Sequence, residues 1–255
     1  MTDAPILVTG ATGYVGGRLV PALLAAGYRV RAVGRSLAKL RCRPFASHPR
    51  IELAQADSLD LPAMRDACAG CRAAYYLVHS MHPKNRDFAA TDREAAMVMA
   101  RAADDAGVSR IIYLGGLGRD EDELSHHLKS RHEVGKILGY GRVPVTELRA
   151  AMILGSGSAS FEIMRYLVDR LPAMIAPRWV RNRCQPIAIS DVLGYLVGCL
   201  AEPRTTGLTL DIGGPDVLSY GEIFAIYAEE AGLPRRYILP VPVLTPRLST
   251  YWLQL

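Results

Sequence analysis

No run of about 18 apolar residues occurs in this 255-residue chain, so a membrane-spanning helix is not expected. A long basic block is absent too. The 30 lysines and arginines exceed the 25 acidic residues by a net charge of +5, and they are scattered, as at Arg29, Arg31, Arg35, Lys39, Arg41 and Arg43. That pattern favours a small anionic ligand over nucleic acid. Cys68-Ala69-Gly70-Cys71 forms one C-x-x-C, but neither a second such pair nor a histidine pair at zinc spacing accompanies it. Neither a metal site nor a redox pair is therefore expected. The two thiols read as small, half-buried side chains where a helix ends, with Gly70 as its C-cap. Internal repeats and low-complexity tracts are also missing. The opening MTDAPILVTG enters a strand at once, which leaves no room for a secretion signal and makes the cytoplasm the expected location.

What the chain does have is a phosphate-binding turn. The apolar run Pro5 to Thr9 leads into Gly10-Ala11-Thr12-Gly13-Tyr14-Val15-Gly16, after which Leu19, Val20, Leu23 and Leu24 recur at helical spacing. The order is strand, glycine-rich turn, helix. Gly10 permits the tight turn, Gly13 lets backbone approach a pyrophosphate, and Gly16 lets the helix pack closely on the strand. Free N–H groups at the helix start favour the phosphates. Thr9, Gly10, Thr12, Gly13, Tyr14, Val15 and Gly16 are the expected contacts.

Strand-like runs at 5–9, 29–33, 51–55, 74–78, 110–114 and 145–149 alternate with helix-like runs at 14–26, 62–69, 88–106 and 125–139, and a further helix at 161–171 follows. Half of the residues are hydrophobic, enough for a sizeable core. Strands joined by crossover helices make a doubly wound parallel sheet, an α/β fold. Beyond about residue 155, glycine, serine and proline cluster, and a helix (190–201), a strand (208–212) and a helix (219–231) come after. The expected division is a dinucleotide-binding domain at 1–155 and a smaller substrate lobe at 156–255, over the sheet edge where such folds bind ligands. The final LSTYWLQL is apolar and lacks a closing polar turn, so the native chain is expected to continue.

Nicotinamide cofactors are distinguished after the second strand. An acidic residue there would accept from the ribose 2′-OH of NAD. Here Gly34 removes that side chain, Arg35 offers a fork of donors suited to a 2′-phosphate, and Ser36 adds a hydroxyl. NADP(H) is favoured over NAD(H). Asp57-Ser58 follows the third strand, where Asp57 either accepts from the adenine amino group or caps the next helix. Val78, His79, Ser80 and His82 follow the fourth strand, in loops that line the cofactor groove of such a sheet.

The glycine turn, Arg35 and Asp57 resemble those of the extended and atypical short-chain dehydrogenase/reductases, nearest the NmrA-like and nucleoside-diphosphate-sugar-epimerase-like groups. Pro186 to Val192 is similar to the segment that opens a substrate-lobe helix in that family. Leu210-Asp211-Ile212-Gly213-Gly214, with Leu218-Ser219-Tyr220, is similar to its late strand-turn-helix. The resemblance implies an NAD(P)-binding Rossmann fold, a small-molecule substrate and a homodimer through the fourth and fifth helices.

It also implies a serine or threonine after the fifth strand and a Tyr-x-x-x-Lys in the next helix. This chain has neither. The strand ends Tyr113-Leu114-Gly115-Gly116, and the helix reads His126-His127-Leu128-Lys129-Ser130-Arg131-His132-Glu133-Val134-Gly135-Lys136. One register puts His127 at the tyrosine position and Arg131 at the lysine position. The other puts His132 and Lys136 there. Distance to the sixth strand favours the first, and histidine replaces tyrosine in both. A histidine of ordinary pKa can give or take a proton. Two functions stay open: an NADP(H)-dependent oxidoreductase or epimerase-like enzyme with a non-standard proton donor, and a dinucleotide-sensing regulatory or assembly protein without turnover. Arg178, Arg181 and Arg183, among Phe161, Met164, Arg165, Trp179 and Gln185, could meet an anionic substrate; its identity is not legible.

Overall fold

The computed structural model describes residues 3–79, 88–118 and 126–241. In chain order its elements are β1 (Ile6–Val8), α1 (Gly16–Ala25), β2 (Val30–Gly34), α2 (Leu37–Arg41), β3 (Ile51–Gln55), α3 (Leu61–Cys68), β4 (Ala73–Tyr76), α4 (Phe88–Asp105), β5 (Ile111–Gly116), α5 (His126–Gly139) and β6 (Val145–Ala150). They continue with β7 (Ile153–Leu154), α6 (Ala159–Arg170), β8 (Ala173–Pro177), β9 (Arg183–Cys184), β10 (Ile187–Ala188), α7 (Ile189–Ala201), β11 (Thr209–Ile212), β12 (Leu218–Ser219), α8 (Tyr220–Glu230) and β13 (Tyr237–Val241). Contacts gather into two units, Met1–Ala150 with Ser190–Ile212, and Ala151–Ile189 with Gly213–Leu255.

The first unit is a seven-stranded sheet in the order β11-β6-β5-β4-β1-β2-β3, parallel at every pairing. Strand order reverses between β1 and β4, which opens a crevice at their carboxyl ends. Both faces of such a sheet are covered, which is why β1 and β4 are short, wholly buried runs rather than alternating ones. On one face Leu7, Ala74, Tyr76, Ile111 and Tyr113 pack with Met64, Ala96, Met99, Ala103, Val134 and Leu138. Each large side chain such as Met99 or Leu138 stabilises the fold by about 2 kcal/mol on burial. Asp60, followed by Pro62 in the first turn, caps α3 by accepting from the Ala63 N–H at 3.1 Å. The five-residue α2, unforeseen in the sequence, is capped by Ser36, which accepts from the Lys39 N–H.

Residues 190–212, expected in the later lobe, belong to this first unit because β11 pairs with β6, Thr209 opposite Glu147 through Ile212 opposite Ala150. Two buried groups fix the end of α7. The Tyr75 hydroxyl donates to Leu196 O at 2.8 Å, and the buried Arg110 guanidinium donates to Cys199 O at 2.7 Å. A cation at a helix C-terminus also meets the dipole favourably.

Among the described residues the second unit holds three small pairings, β7–β10 and β8–β13 parallel and β9–β12 antiparallel. Its core joins Met152, Met164, Val168, Met174, Ile223, Phe224 and Ala228. The helix α8 starts in a capping box, with Ser219 and Glu222 each accepting from the other's backbone N–H. The expected helices at 161–171 and 219–231 are α6 and α8. Strands of two residues carry no periodicity, so most of the strands here leave no pattern to read.

The two C-x-x-C thiols are buried, and the Cys71 Sγ–H donates to Ala67 O at 3.5 Å. Burial pushes Cys68 up to about 12 and Cys71 up to about 11. Only the thiolate is nucleophilic. Iodoacetamide at pH 8 is therefore expected to label the exposed Cys42 and to spare Cys68 and Cys71 until the chain unfolds. Mapping of labelled peptides by mass spectrometry checks this, and rapid labelling of Cys68 in folded protein contradicts it.

Candidate functional site

The glycine turn sits at the carboxyl end of β1. Gly10 has φ +65°, a left-handed conformation that favours glycine. A Cβ there would stand 2.6 Å from Leu77 O, so the turn lies hard against the chain leaving β4. A Cβ on Gly16 would stand 2.3 Å from Gly10 O, whereas one on Gly13 would meet only Gly10 O at 3.2 Å. The turn is thus folded back on the start of α1 by contacts that only hydrogen allows, with Gly13 exposed at its outer side. This cradle suits a pyrophosphate approaching the α1 N-terminus. Thr9 is spent on the fold: its hydroxyl donates to Tyr75 O at 3.0 Å and accepts from the Leu77 N–H at 3.1 Å. Val15 precedes α1 without a side-chain cap. The Arg18 guanidinium lies 4.2 Å from the Tyr14 ring centroid and donates to Tyr14 O.

Arg35 is exposed at the end of β2, the place expected of a 2′-phosphate ligand. The Ser36 hydroxyl is already engaged as the α2 cap. Asp57 accepts from the Leu59 N–H at 3.1 Å in an Asx turn, and Asp60 caps α3 instead, so capping does not explain Asp57. Ser58 is half-buried beside it. Arg43 was not singled out in the sequence. Its guanidinium donates to Thr12 O and comes within 3.9 Å of a Cβ built on Gly17, so a cation lies on the glycine turn. Scattered basic residues gave no signal that this one folds back.

Beyond β4, Val78 and His79 are half-buried, and Ser80 and His82 lie outside the described residues. Arg131 of α5 reaches this place: its Nη1 is 2.6 Å from His79 Nε2 and donates to Leu114 O at 3.4 Å. Burial pushes the guanidinium below its ordinary value, opposed by Tyr113 and Asp92. The Tyr113 hydroxyl donates to Arg131 O at 3.0 Å, and burial pushes that phenol up, away from acid–base work. His132, one residue on, is buried, with Nε2 3.1 Å from Gly116 O at the end of β5. Lys136 stands on the exposed side of α5. His127 lies in the first turn of α5, with its side chain outside the described residues.

Glu147 on β6 was also missed. Burial pushes its carboxyl up, with Arg149 and His132 opposing. A Cβ built on Gly115 or on Gly135 would stand 2.7 Å from its Oε1. Gly115, near the end of β5 where the family resemblance implies a serine or threonine, thus leaves room for a carboxylate.

In the second unit, most of the residues raised as substrate contacts are occupied within the unit itself. Met164 is core, Phe161 packs edge-on against Tyr227, and Arg165 pairs with Glu162 at 2.7 Å. Trp179 stands edge-on to Tyr220, and Gln185 donates to Gly214 O. Arg181 and Arg183 are exposed. The Arg178 side chain lies outside the described residues. Among the described residues no helix is long and apolar enough to cross a membrane, and no group of three metal-ligating side chains occurs.

A family model described as NAD(P)H-binding matches residues 10–153, more than half of the chain. Dihydroflavonol 4-reductase of Hordeum vulgare is 34% identical over 125 residues, covering 45% of this chain and 35% of that protein. The chloroplastic divinyl chlorophyllide a 8-vinyl-reductase of Oryza sativa subsp. indica is 26% identical over 260 residues, covering 95% of this chain and 63% of that protein. The chain spans about a third of the length of the first curated relatives it matches. Among solved structures, a nucleoside-diphosphate-sugar epimerase of Staphylococcus aureus superposes with TM-score 0.79 at 20% identity, covering 97% of this chain and 83% of the other. A Citrobacter sp. triphenylmethane reductase complexed with NADP(H) does so with TM-score 0.75 at 19% identity, covering 93% and 79%. At such identities the superpositions show the fold.

Proposed function

The chain belongs to the NAD(P)H-binding family, with the Rossmann fold of epimerase-like short-chain dehydrogenase/reductases, and from that membership we propose that it is an NADP(H)-dependent oxidoreductase acting on a small molecule. The observation that carries this reading is the glycine cradle with two arginines around it, Arg35 beyond β2 and Arg43 on Thr12 O. Bound NADP(H) would supply a hydride. The turn and α1 would hold its pyrophosphate, with Thr12, Gly13, Tyr14 and Val15 lining it. Arg35 would meet the 2′-phosphate, and Asp57 the adenine. The named reductases among the relatives support hydride chemistry.

For the reacting end, Arg131 supports the register that pairs it with His127. Its guanidinium reaches His79 beyond β4 and Leu114 O of β5, whereas His132 is buried against Gly116 O at the end of β5 and Lys136 is exposed. In this reading Arg131 holds the nicotinamide ribose or its phosphate, and His127 exchanges the proton. The second reading, dinucleotide sensing without turnover, draws on the glycines that end β5, where the family resemblance implies a serine or threonine. Residues 156–189 and 213–241 would supply contacts to the substrate. The reading carries with it a cytoplasmic location and a homodimer through α4 and α5, where Met97 and Tyr140 are exposed.

Calorimetric titration with NADPH and NADH tests the cofactor. NADPH is expected to bind more tightly, and Arg35→Ala to weaken it by roughly 10- to 100-fold, the worth of one charge-assisted hydrogen bond, while leaving NADH unchanged. Failure of both dinucleotides to bind the unaltered protein rejects the reading.

A further inference from the structure

The parallel pairing of β8 with β13 has one covered face and one open face. Parallel strands are ordinarily covered on both. Side chains alternate along a strand, and Met174 and Ile238, opposite each other in the register, pack into the core of the second unit. Ile175 stands opposite Leu239, and Ala173 opposite Tyr237, so these four share the other face. There Ile175 is 49%, Leu239 61% and Tyr237 63% exposed. Single exposed apolar side chains are ordinary, but a contiguous group of them marks a contact surface.

Charge says what the surface fits. Residues 171–184 and 233–241, which hold both strands and their flanks, contain five arginines and no aspartate or glutamate. Arg181 and Arg183 follow β8 and Arg235 precedes β13, and all three are exposed. Because the strands run parallel, these cations stand at opposite ends of the open face. Trp179, 41% exposed, lies toward the first end, and Tyr237 at the second. Arg236 is engaged elsewhere, donating to Val168 O at 2.8 Å and Asp169 O at 3.3 Å at the end of α6. The carboxylate that Arg183 faces, Glu222, is held in the α8 capping box.

A second copy is a poor occupant. A two-fold contact sets a patch against itself, and arginines would then meet arginines. A folded protein partner would exchange about one hydrogen bond per 100–200 Å² of contact, and the side chains of Ala173, Ile175 and Leu239 offer none. An apolar centre with arginines at its ends and tryptophan and tyrosine beside them matches the boundary between lipid headgroups and acyl chains.

We propose that the open face of β8 and β13 docks on an anionic membrane surface, with Ile175 and Leu239 at the acyl boundary and Arg181, Arg183 and Arg235 on lipid phosphates. The contact is peripheral and independent of the cofactor. Sedimentation with lipid vesicles tests it. Vesicles of phosphatidylglycerol and phosphatidylcholine in equal parts should carry the protein down, phosphatidylcholine alone should not, and added salt should weaken the binding. Arg181→Gln, Arg183→Gln and Arg235→Gln together should lower the partition coefficient by roughly 100-fold. Ile175→Thr with Leu239→Thr should lower it by roughly 10-fold. The triple variant touches no apolar packing, so its urea midpoint should match that of the unaltered protein, and it decides the matter even where the threonine pair unfolds. Failure of the unaltered protein to sediment with the anionic vesicles overturns the proposal, as does unchanged sedimentation of the triple variant. Retention on poly-glutamate without vesicle binding assigns the face to an acidic protein instead. A dimer that Ile175→Thr with Leu239→Thr dissolves assigns it to a second copy, and either result overturns the membrane contact.

Discussion

Gly16→Ala is expected to destabilise the fold and abolish dinucleotide binding together, whereas Gly13→Ala keeps the fold and loses the binding. The difference lies in what each new methyl meets. At Gly16 it would stand 2.3 Å from Gly10 O, 2.8 Å from Gly10 C and 3.1 Å from Ala11 Cα, all backbone of the turn itself. None of these can rotate aside, so α1 must slide off the turn, at a cost of about 3 kcal/mol, the upper range for overpacking. At Gly13 it would meet only Gly10 O, at 3.2 Å, which a shift of a few tenths of an ångström relieves. The fold tolerates that, but the methyl takes up room where backbone must approach the pyrophosphate. NADPH affinity is expected to fall by roughly 100-fold, about 2.7 kcal/mol. Urea unfolding and calorimetry on both variants separate the two effects. Gly13→Ala binding NADPH like the unaltered protein would mean that no phosphate approaches this turn.

The same comparison shows which parts of the molecule the sequence discloses. The turn was legible because its chemistry is local: three glycines, a strand before and a helix after are all read within twenty residues. The alternation of strands and helices through Ala150 was legible for a similar reason, since each crossover unit repeats one hydrophobic pattern. Residues 190–212 were misassigned because the bond that claims them, the pairing of β11 with β6, joins segments about sixty residues apart. Arg43, Arg131 with His79, and Glu147 are all cases of this kind. Their partners, Thr12, Leu114, Gly115 and Gly135, come from other elements, and no spacing in the chain announces them. The departure from Tyr-x-x-x-Lys was visible in the sequence. What occupies the vacated space was not.

That occupant sets the second large effect. In a helix interior, alanine is ordinarily more favourable than glycine by about 1 kcal/mol. Gly135→Ala is expected to do the reverse, because its methyl would stand 2.7 Å from Oε1 and 2.9 Å from Oε2 of Glu147. The single variant should lose about 1–3 kcal/mol by overpacking. In a Glu147→Ala background the carboxylate is gone, and the same substitution should gain about 1 kcal/mol, a reversal of sign that a double-mutant cycle reads directly. The pH dependence follows from burial, which raises the Glu147 carboxyl in the folded chain. Below the unfolded carboxylate range both states hold the proton and there is no penalty. As pH rises through the folded value, the native state must give up a proton that it holds more firmly than the unfolded chain, and stability falls. Glu147→Gln should therefore stabilise at neutral and alkaline pH and change little in acid. Thermal melts across that range check it, and a neutral Gly135→Ala would show that the carboxylate swings clear. The glycine at 115 is then explained by packing: a serine there needs Glu147 shortened first, so Gly115→Ser should be tolerated with Glu147→Ala and poorly tolerated alone.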